Sequence, residues 1–123
     1  MITGTVNRRH EVVITLLVRD STRQEHEIES ILDTGFTGSL TLPPSLIDSL
    51  GLVWRSRSSA ILVNGIVEDF DVYVAAVIWD GAERQILIQA IENAPLLGMA
   101  MLVGYDLRAR VIVGGSVEIE AIA

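Results

Sequence analysis

A chain of 123 residues with 16 acidic and nine basic side chains, net charge −7, has room for one domain with a real core and is too short for two. Half of its residues are hydrophobic, only 5% are aromatic and mean hydropathy is +0.45, the composition of a compact folded chain rather than a disordered one. Every basic residue is an arginine, and apart from Arg8 with Arg9 and Arg55 with Arg57 they are scattered, which disfavours nucleic-acid binding because phosphate contacts need a basic face.

Strand signals dominate from the start. "HEVVITLLV" is β-rich, "RDSTRQ" is a polar turn, and "EHEIESIL" runs from an acidic edge to an apolar end at Ile31 and Leu32, so a hairpin leads up to Asp33. After Asp33-Thr34-Gly35 comes a short strand, "GSLTL". Pro43 and Pro44 then suit the first turn of a helix, Gly51 suits the position after its last, and Leu46, Ile47 and Leu50 share one face.

Two hairpins in series follow. Asn64-Gly65 separates "SSAILV" from "IVEDFDVYVAAVIW", and Asp80-Gly81 separates that strand from "ERQILIQAI"; both dipeptides suit a tight turn whose two central residues have positive φ. Pro95 stops the last strand, "LLGMAMLVGYD" can form a short apolar helix from about Met99, and "LRARVIV" pairs across Gly114-Gly115 with "SVEIEAIA". No linker divides the chain. The elements predict one mainly β domain over residues 1–123, a closed or sandwich-like barrel with one or two short helices.

The absence of cysteine removes disulfides, thiolate zinc sites and thiol nucleophiles, and fits a reducing compartment. The N-terminal stretch lacks the basic-then-apolar order of a signal peptide, and the longest apolar run, "APLLGMAMLVGY", falls short of the roughly 20 residues of a membrane helix. A soluble cytoplasmic protein without membrane association is expected. The apolar surplus points to surface covered by another subunit.

Asp33 is the one ionisable residue at the end of an apolar strand. A carboxylate there needs hydrogen bonds, a partner or a proton. Thr34 can bond main chain and fix the loop, and Gly35 offers an unobstructed N–H and lets another backbone approach. An Asx turn that merely ends the strand would use the same triplet. The surroundings weigh against that reading: a short strand and a proline-started helix follow, and Leu96-Leu97-Gly98 opens a second helical segment some sixty residues on, with a glycine-tipped hairpin between.

In these features the sequence resembles the retropepsin-like aspartic peptidases, the single-domain clan of retroviral proteases and their bacterial relatives. The resemblance runs from about Val12 to Ile119 and rests on Asp33-Thr34-Gly35, the hairpin at Asn64-Gly65 and Leu96-Leu97-Gly98. It implies a closed retropepsin-like acid-protease β-barrel. It also implies that Asp33 is the catalytic aspartate, that Thr34 locks two active-site loops together, and that Gly35 contacts substrate backbone. Leu62, Val63, Asn64, Gly65 and Ile66, with Val67, would form a flap over substrate, Phe36 would border the cleft, and Gly98 would pack behind the aspartate loop. The retroviral pattern has an aspartate two residues after the glycine and an arginine after the second glycine; here those positions hold Thr37 and Met99, so both partners of that ion pair are missing together.

Peptide hydrolysis by this route needs two carboxylates sharing a proton, and no other aspartate in the chain is followed by a second copy of the loop. The resemblance therefore implies a homodimer, an inactive monomer, a peptide or protein substrate and no cofactor or metal, with "MITGTV" and "VEIEAIA" as candidate interface strands. The alternative is a catalytically silent dimerisation or peptide-binding module of the same shape. His10 and His26 read as surface strand positions rather than metal ligands, no G-x-S-x-G supports a serine nucleophile, and Trp54, Trp79, Phe70 and Tyr73 read as core or flap-packing residues.

Overall fold

The computed structural model describes residues 1–123. β1 (Ile2–Val6) leads into a hairpin of β2 (Val12–Arg19) and β3 (Glu25–Leu32), registered from Val13 opposite Ile31 to Arg19 opposite Glu25. Period-two alternation buries Ile14, Leu16 and Val18 from one strand and Ile28 and Ser30 from the other. Ser30 is a polar side chain in this core, and its hydroxyl donates to the Ile14 carbonyl at 2.8 Å, so its burial leaves nothing unpaired.

β4 (Leu40–Leu42), α1 (Pro44–Leu50), β5 (Val53–Ile61), β6 (Val67–Trp79) and β7 (Ala82–Ala90) follow, then β8 (Leu96–Leu97), a 3-10 turn at Met99–Leu102, β9 (Tyr105–Ala109) and β10 (Ser116–Ala121). α1 starts at the prolines and ends on Gly51 at φ 64°, burying Ile47 and Leu50 as the sequence pattern requires. The ten-stranded order is β5-β6-β7-β4-β8-β3-β2-β1-β10-β9, and a further pairing of β6 with β2 closes the segment from β6 to β2 into a ring. The expected mainly β fold with short helices is therefore present, the closed part being this ring around Ile14, Leu40, Leu42, Val77, Ile88 and Leu97, all fully buried. No helix is long and apolar enough to cross a membrane.

The two expected tight turns differ. Asp80 and Gly81 have φ 52° and 81° between paired Trp79 and Ala82, a two-residue turn with both residues left-handed. At the other, only Gly65 is left-handed (φ 82°); Gly65 N–H donates to the Leu62 carbonyl and Leu62 N–H to the Ile66 carbonyl, both at 2.8 Å, so Val63, Asn64 and Gly65 form a longer loop. Asn64 acts through its side chain, accepting Ile66 N–H at 3.0 Å, which removes the need for a second positive φ.

The C-terminal hairpin is shorter than the sequence suggests. Val111–Val113 are not strand: Ile112 N–H turns back to the Arg110 carbonyl, and Gly114 N–H and Val6 N–H bind this loop to β1 through Val6 O and Gly115 O. A side chain at Gly115 would meet the Arg110 carbonyl at 1.9 Å, so only glycine permits the curl. β1 pairs with β10 from Ile2 to Thr5 and with β2 at Thr5 and Val6 alone, and β10 lies between β1 and β9. Antiparallel succession from β3 to β9 puts the end of β3, the β1–β2 turn and the β9–β10 loop at one end of the sheet.

At the opposite end of the β2–β3 hairpin, the Asp20 carboxylate accepts the Thr22 hydroxyl at 2.6 Å, lies 2.7 Å from His26 Nε2, and accepts the N–H groups of Thr22 and Gln24. The Thr22 hydroxyl, then His26 and the two N–H groups, hold this carboxyl well below its ordinary 3.8. A carboxyl depressed in the folded state stabilises the fold fully above its unfolded pKa and loses that contribution as pH falls below about 4 toward the folded value. Asp20→Asn is expected to lower the thermal midpoint at pH 6, with a smaller gap from the unsubstituted protein at pH 3; a gap that widens on acidification would contradict this.

Candidate active site

Asp33 follows β3 directly, and its backbone is fixed before its side chain is considered. Its N–H donates to the Leu97 carbonyl at 2.9 Å and its carbonyl accepts Phe36 N–H at 3.1 Å. Gly35 N–H then donates to Asp33 Oδ1 at 2.9 Å, orienting the carboxylate. Asp33 is half-buried, Thr34 and Gly35 are exposed, and no cation pairs with the acid. The sequence suggested a carboxylate set into an apolar interior. Instead it stands at the rim, where water solvates it while one N–H sets its direction.

The segment that opens at Leu96 holds this loop from behind. β8 inserts between β3 and β4, parallel to the first (Ile31 opposite Leu96) and antiparallel to the second (Leu40 opposite Leu97). Buried Thr41 accepts Leu96 N–H through its hydroxyl at 2.9 Å. Past the strand, Gly98, Met99 and Ala100 donate their N–H groups to the carbonyls of Ser39, Phe36 and Gly38 at 2.9, 2.8 and 3.1 Å. The aspartate loop is thus stitched to the Gly98 loop by successive main-chain bonds, in the absence of the Asp–Arg pair of the retroviral pattern.

Phe36 completes the join. A Cβ at Gly98 would lie 2.6 Å from its ring and 2.0 Å from the Gly38 carbonyl, and a Cβ at Gly38 would lie 2.6 Å from the same ring. Both glycines therefore make room for the half-buried phenyl ring between the two loops.

A groove of about 430 Å³ opens at Asp33 and Thr34. It is bordered by His10 and Glu11 from the β1–β2 turn, by Leu96, and by Leu107 of β9. Sequence reasoning had no signal for Leu107, and it placed His10 on a strand; His10 sits in the turn at φ 59° instead. Phe36, expected at the border of the cleft, does not line this groove, and neither does any of Leu62, Val63, Asn64, Gly65 or Ile66. They tip an arm of β5 and early β6 in which every residue from Val53 to Asp69 is exposed, Val63 completely. At the base of the arm Asp71 accepts from Trp54 Nε1 and Arg57 Nη1, each at 3.1 Å. Trp54 is accordingly 55% exposed, while Trp79 is buried edge-to-face on Tyr105, with ring centroids 5.8 Å apart.

No family model and no curated protein sequence matches this chain. Among solved structures, the chain is similar to the crystal structure of a retropepsin-like aspartic protease from Rickettsia conorii, with a TM-score of 0.59 at 17% identity over 99% of this chain and 91% of that one. The fold is retropepsin-like. At this identity the likeness belongs to the backbone alone.

A methyl group at Gly98 meets a backbone carbonyl that cannot move aside. Gly98→Ala is expected to destabilise the protein by about 2 kcal/mol or more and to expose the Asp33 loop to amide exchange, whereas Phe36→Ala, at a half-buried position, should cost about 1–3 kcal/mol. Chemical denaturation with hydrogen exchange checks both.

Proposed function

We propose that the protein is an aspartic endopeptidase that works as a homodimer, with one Asp33 from each chain. The observation that carries this reading is an oriented, half-exposed carboxylate with no cation beside it, on a loop locked to the Gly98 loop, in a retropepsin-like fold. One carboxylate cannot act as base and acid at once; two on a two-fold axis can, because an isologous interface sets each residue beside its own copy.

In this mechanism the paired Asp33 side chains hold one proton between them. The ionised carboxyl takes a proton from a water molecule as its oxygen attacks the scissile carbonyl carbon, and the protonated one donates to the carbonyl oxygen. A tetrahedral diol results, and its collapse breaks the C–N bond as a proton passes to the leaving nitrogen. No cofactor takes part. Thr34 holds the two loops in register, Gly35 gives substrate backbone a close approach, and Phe36, wedged between the Asp33 and Gly98 loops, keeps that join in place. The arm tipped by Leu62, Val63, Asn64, Gly65 and Ile66 closes over an extended peptide, whose main chain it captures in strand fashion. The arm's exposed apolar surface supports that role, since a cover for substrate stays unburied until substrate arrives.

Cleavage of casein from pH 3 to 8 by the unsubstituted protein and by Asp33→Asn tests the reading. Activity is expected to peak at acidic to near-neutral pH, to respond to a statine-type inhibitor, and to fall at least about a thousandfold in the variant. Activity that rises steadily into alkaline pH, or survives Asp33→Asn, would overturn it; tight peptide binding without cleavage would favour a silent peptide-binding module.

A further inference from the structure

Period-two alternation leaves the outer face of a sheet polar, and β3 obeys it with Glu27 and Glu29 exposed. The outer face where β5, β6 and β7 meet does not. Ala75, Val77, Ile86 and Ile88 are buried in the core, so Val74 and Ala76 on β6 and Gln85 and Leu87 on β7 point the other way, and of these four only Gln85 is polar. Val53, the first residue of β5, lies opposite Val74 and adds a side chain that is 69% exposed.

A seam in the sheet deepens this face into a groove. β6 pairs with β5 as far as Val74 and with β2 from Val77, which leaves Ala75 and Ala76 without a strand partner on that edge. The hollow there, about 400 Å³, is walled by Leu52, Val53 and Ala76, and it runs past Val74 and Gln85 into a second hollow of about 210 Å³ that reaches Leu87 and Arg55. Its charge runs against that of the chain. Net charge is −7, yet Arg19, Arg23 and Arg55 border the groove against one carboxylate, Asp20, which is taken up by Thr22 and His26. Arg19 and Arg23 share Glu83. Arg55, the residue left over at the bulge between Trp54 and Ser56, has neither an ion pair nor a side-chain hydrogen bond, and the Gln85 amide is likewise free.

We propose that this groove binds the dissolved anion of a medium-length aliphatic carboxylic acid, its carboxylate on the Arg55 guanidinium and the Gln85 amide, its chain lying over Val74 into the seam between Leu52 and Ala76. The apolar walls are aliphatic throughout, with no aromatic ring to stack on a planar ligand, which selects a hydrocarbon chain. The free guanidinium and the free amide are both donors, and a carboxylate accepts from each. The larger hollow has the volume of a small-molecule site. A chain of net charge −7 is repelled by the anionic surface of a bilayer, so the source is the dissolved molecule rather than a membrane. The groove shares no residue with the one at Asp33, and the inference is independent of the peptidase reading.

Calorimetric titration with decanoate, below its micelle threshold, tests the site, with decylammonium as the ligand of opposite charge. Decanoate is expected to bind one to one with a dissociation constant of about 0.1 mM or tighter, and decylammonium at least about tenfold more weakly. Arg55 and Val53 are both exposed, so substitutions there leave the fold in place, which an unchanged circular dichroism spectrum checks. Arg55→Glu should weaken decanoate about tenfold or more and reverse the preference in favour of decylammonium, while Val53→Asp, with Arg55 intact, should weaken decanoate about tenfold by placing a carboxylate on the apolar wall. No saturable binding of decanoate up to about 1 mM, equal affinity for the two ligands, or an affinity unmoved by both variants would overturn the inference. So would binding to phosphatidylglycerol vesicles in place of the dissolved anion. Each of these outcomes leaves the peptidase reading to the Asp33→Asn comparison.

Discussion

The structure depends on two residues, Leu96 and Leu97, slotted between β3 and β4. Through them the strand leading to Asp33 acquires a neighbour, the ring acquires continuity between β3 and β4, and the Leu97 carbonyl receives Asp33 N–H. A two-residue strand is worth little by itself. It is secured by Leu97, which is fully buried, and by the Thr41 hydroxyl beneath Leu96 N–H. The catalytic geometry proposed for Asp33 is thus fixed from core packing outward, and the side chain needs only one further bond, from Gly35, to be aimed.

The same economy governs the join between the two loops. An ion pair at the rim of a cleft would be exposed to water and worth little, and a change in one member alone would end it. Main-chain bonds from Gly98, Met99 and Ala100 carry no such risk, and the Phe36 ring adds packing that two glycines accommodate. Thr37 and Met99 standing where the retroviral pattern has opposite charges are therefore consistent with a site that holds its shape by other means.

Much of this was legible in the residues. Proline at the start and glycine after the end bounded α1, alternation located β2, β3 and β10, and Asp80-Gly81 gave its turn outright, because those signals act over a few residues. What escaped was set by distant contacts. The β9–β10 loop curls because Val6 holds it, Asn64 avoids positive φ because its own side chain caps Ile66, and Leu107 meets the Asp33 groove only once β9 has folded beside β10. The terminal stretches read as strands, yet nothing in their alternation says that β10 has a neighbour on both sides. Asp33 was recognisable from its triplet, but its position at the rim follows from where β3 ends within the ring.

β6 runs unbroken from Val67 to Trp79, about 40 Å at the usual rise of a strand. Its first residues belong to the exposed arm, and its last are clamped in the ring between β2 and β7. The strand is therefore a lever with its fulcrum near Val72, the first residue of β6 to be buried, and with Asp71 tying it to β5 beside that point. A slight rotation at Val77 or Ile78, where β6 meets β2, sweeps the tip at Asn64 through a larger arc, so packing deep in the ring sets how far the arm stands from whatever lies beneath it.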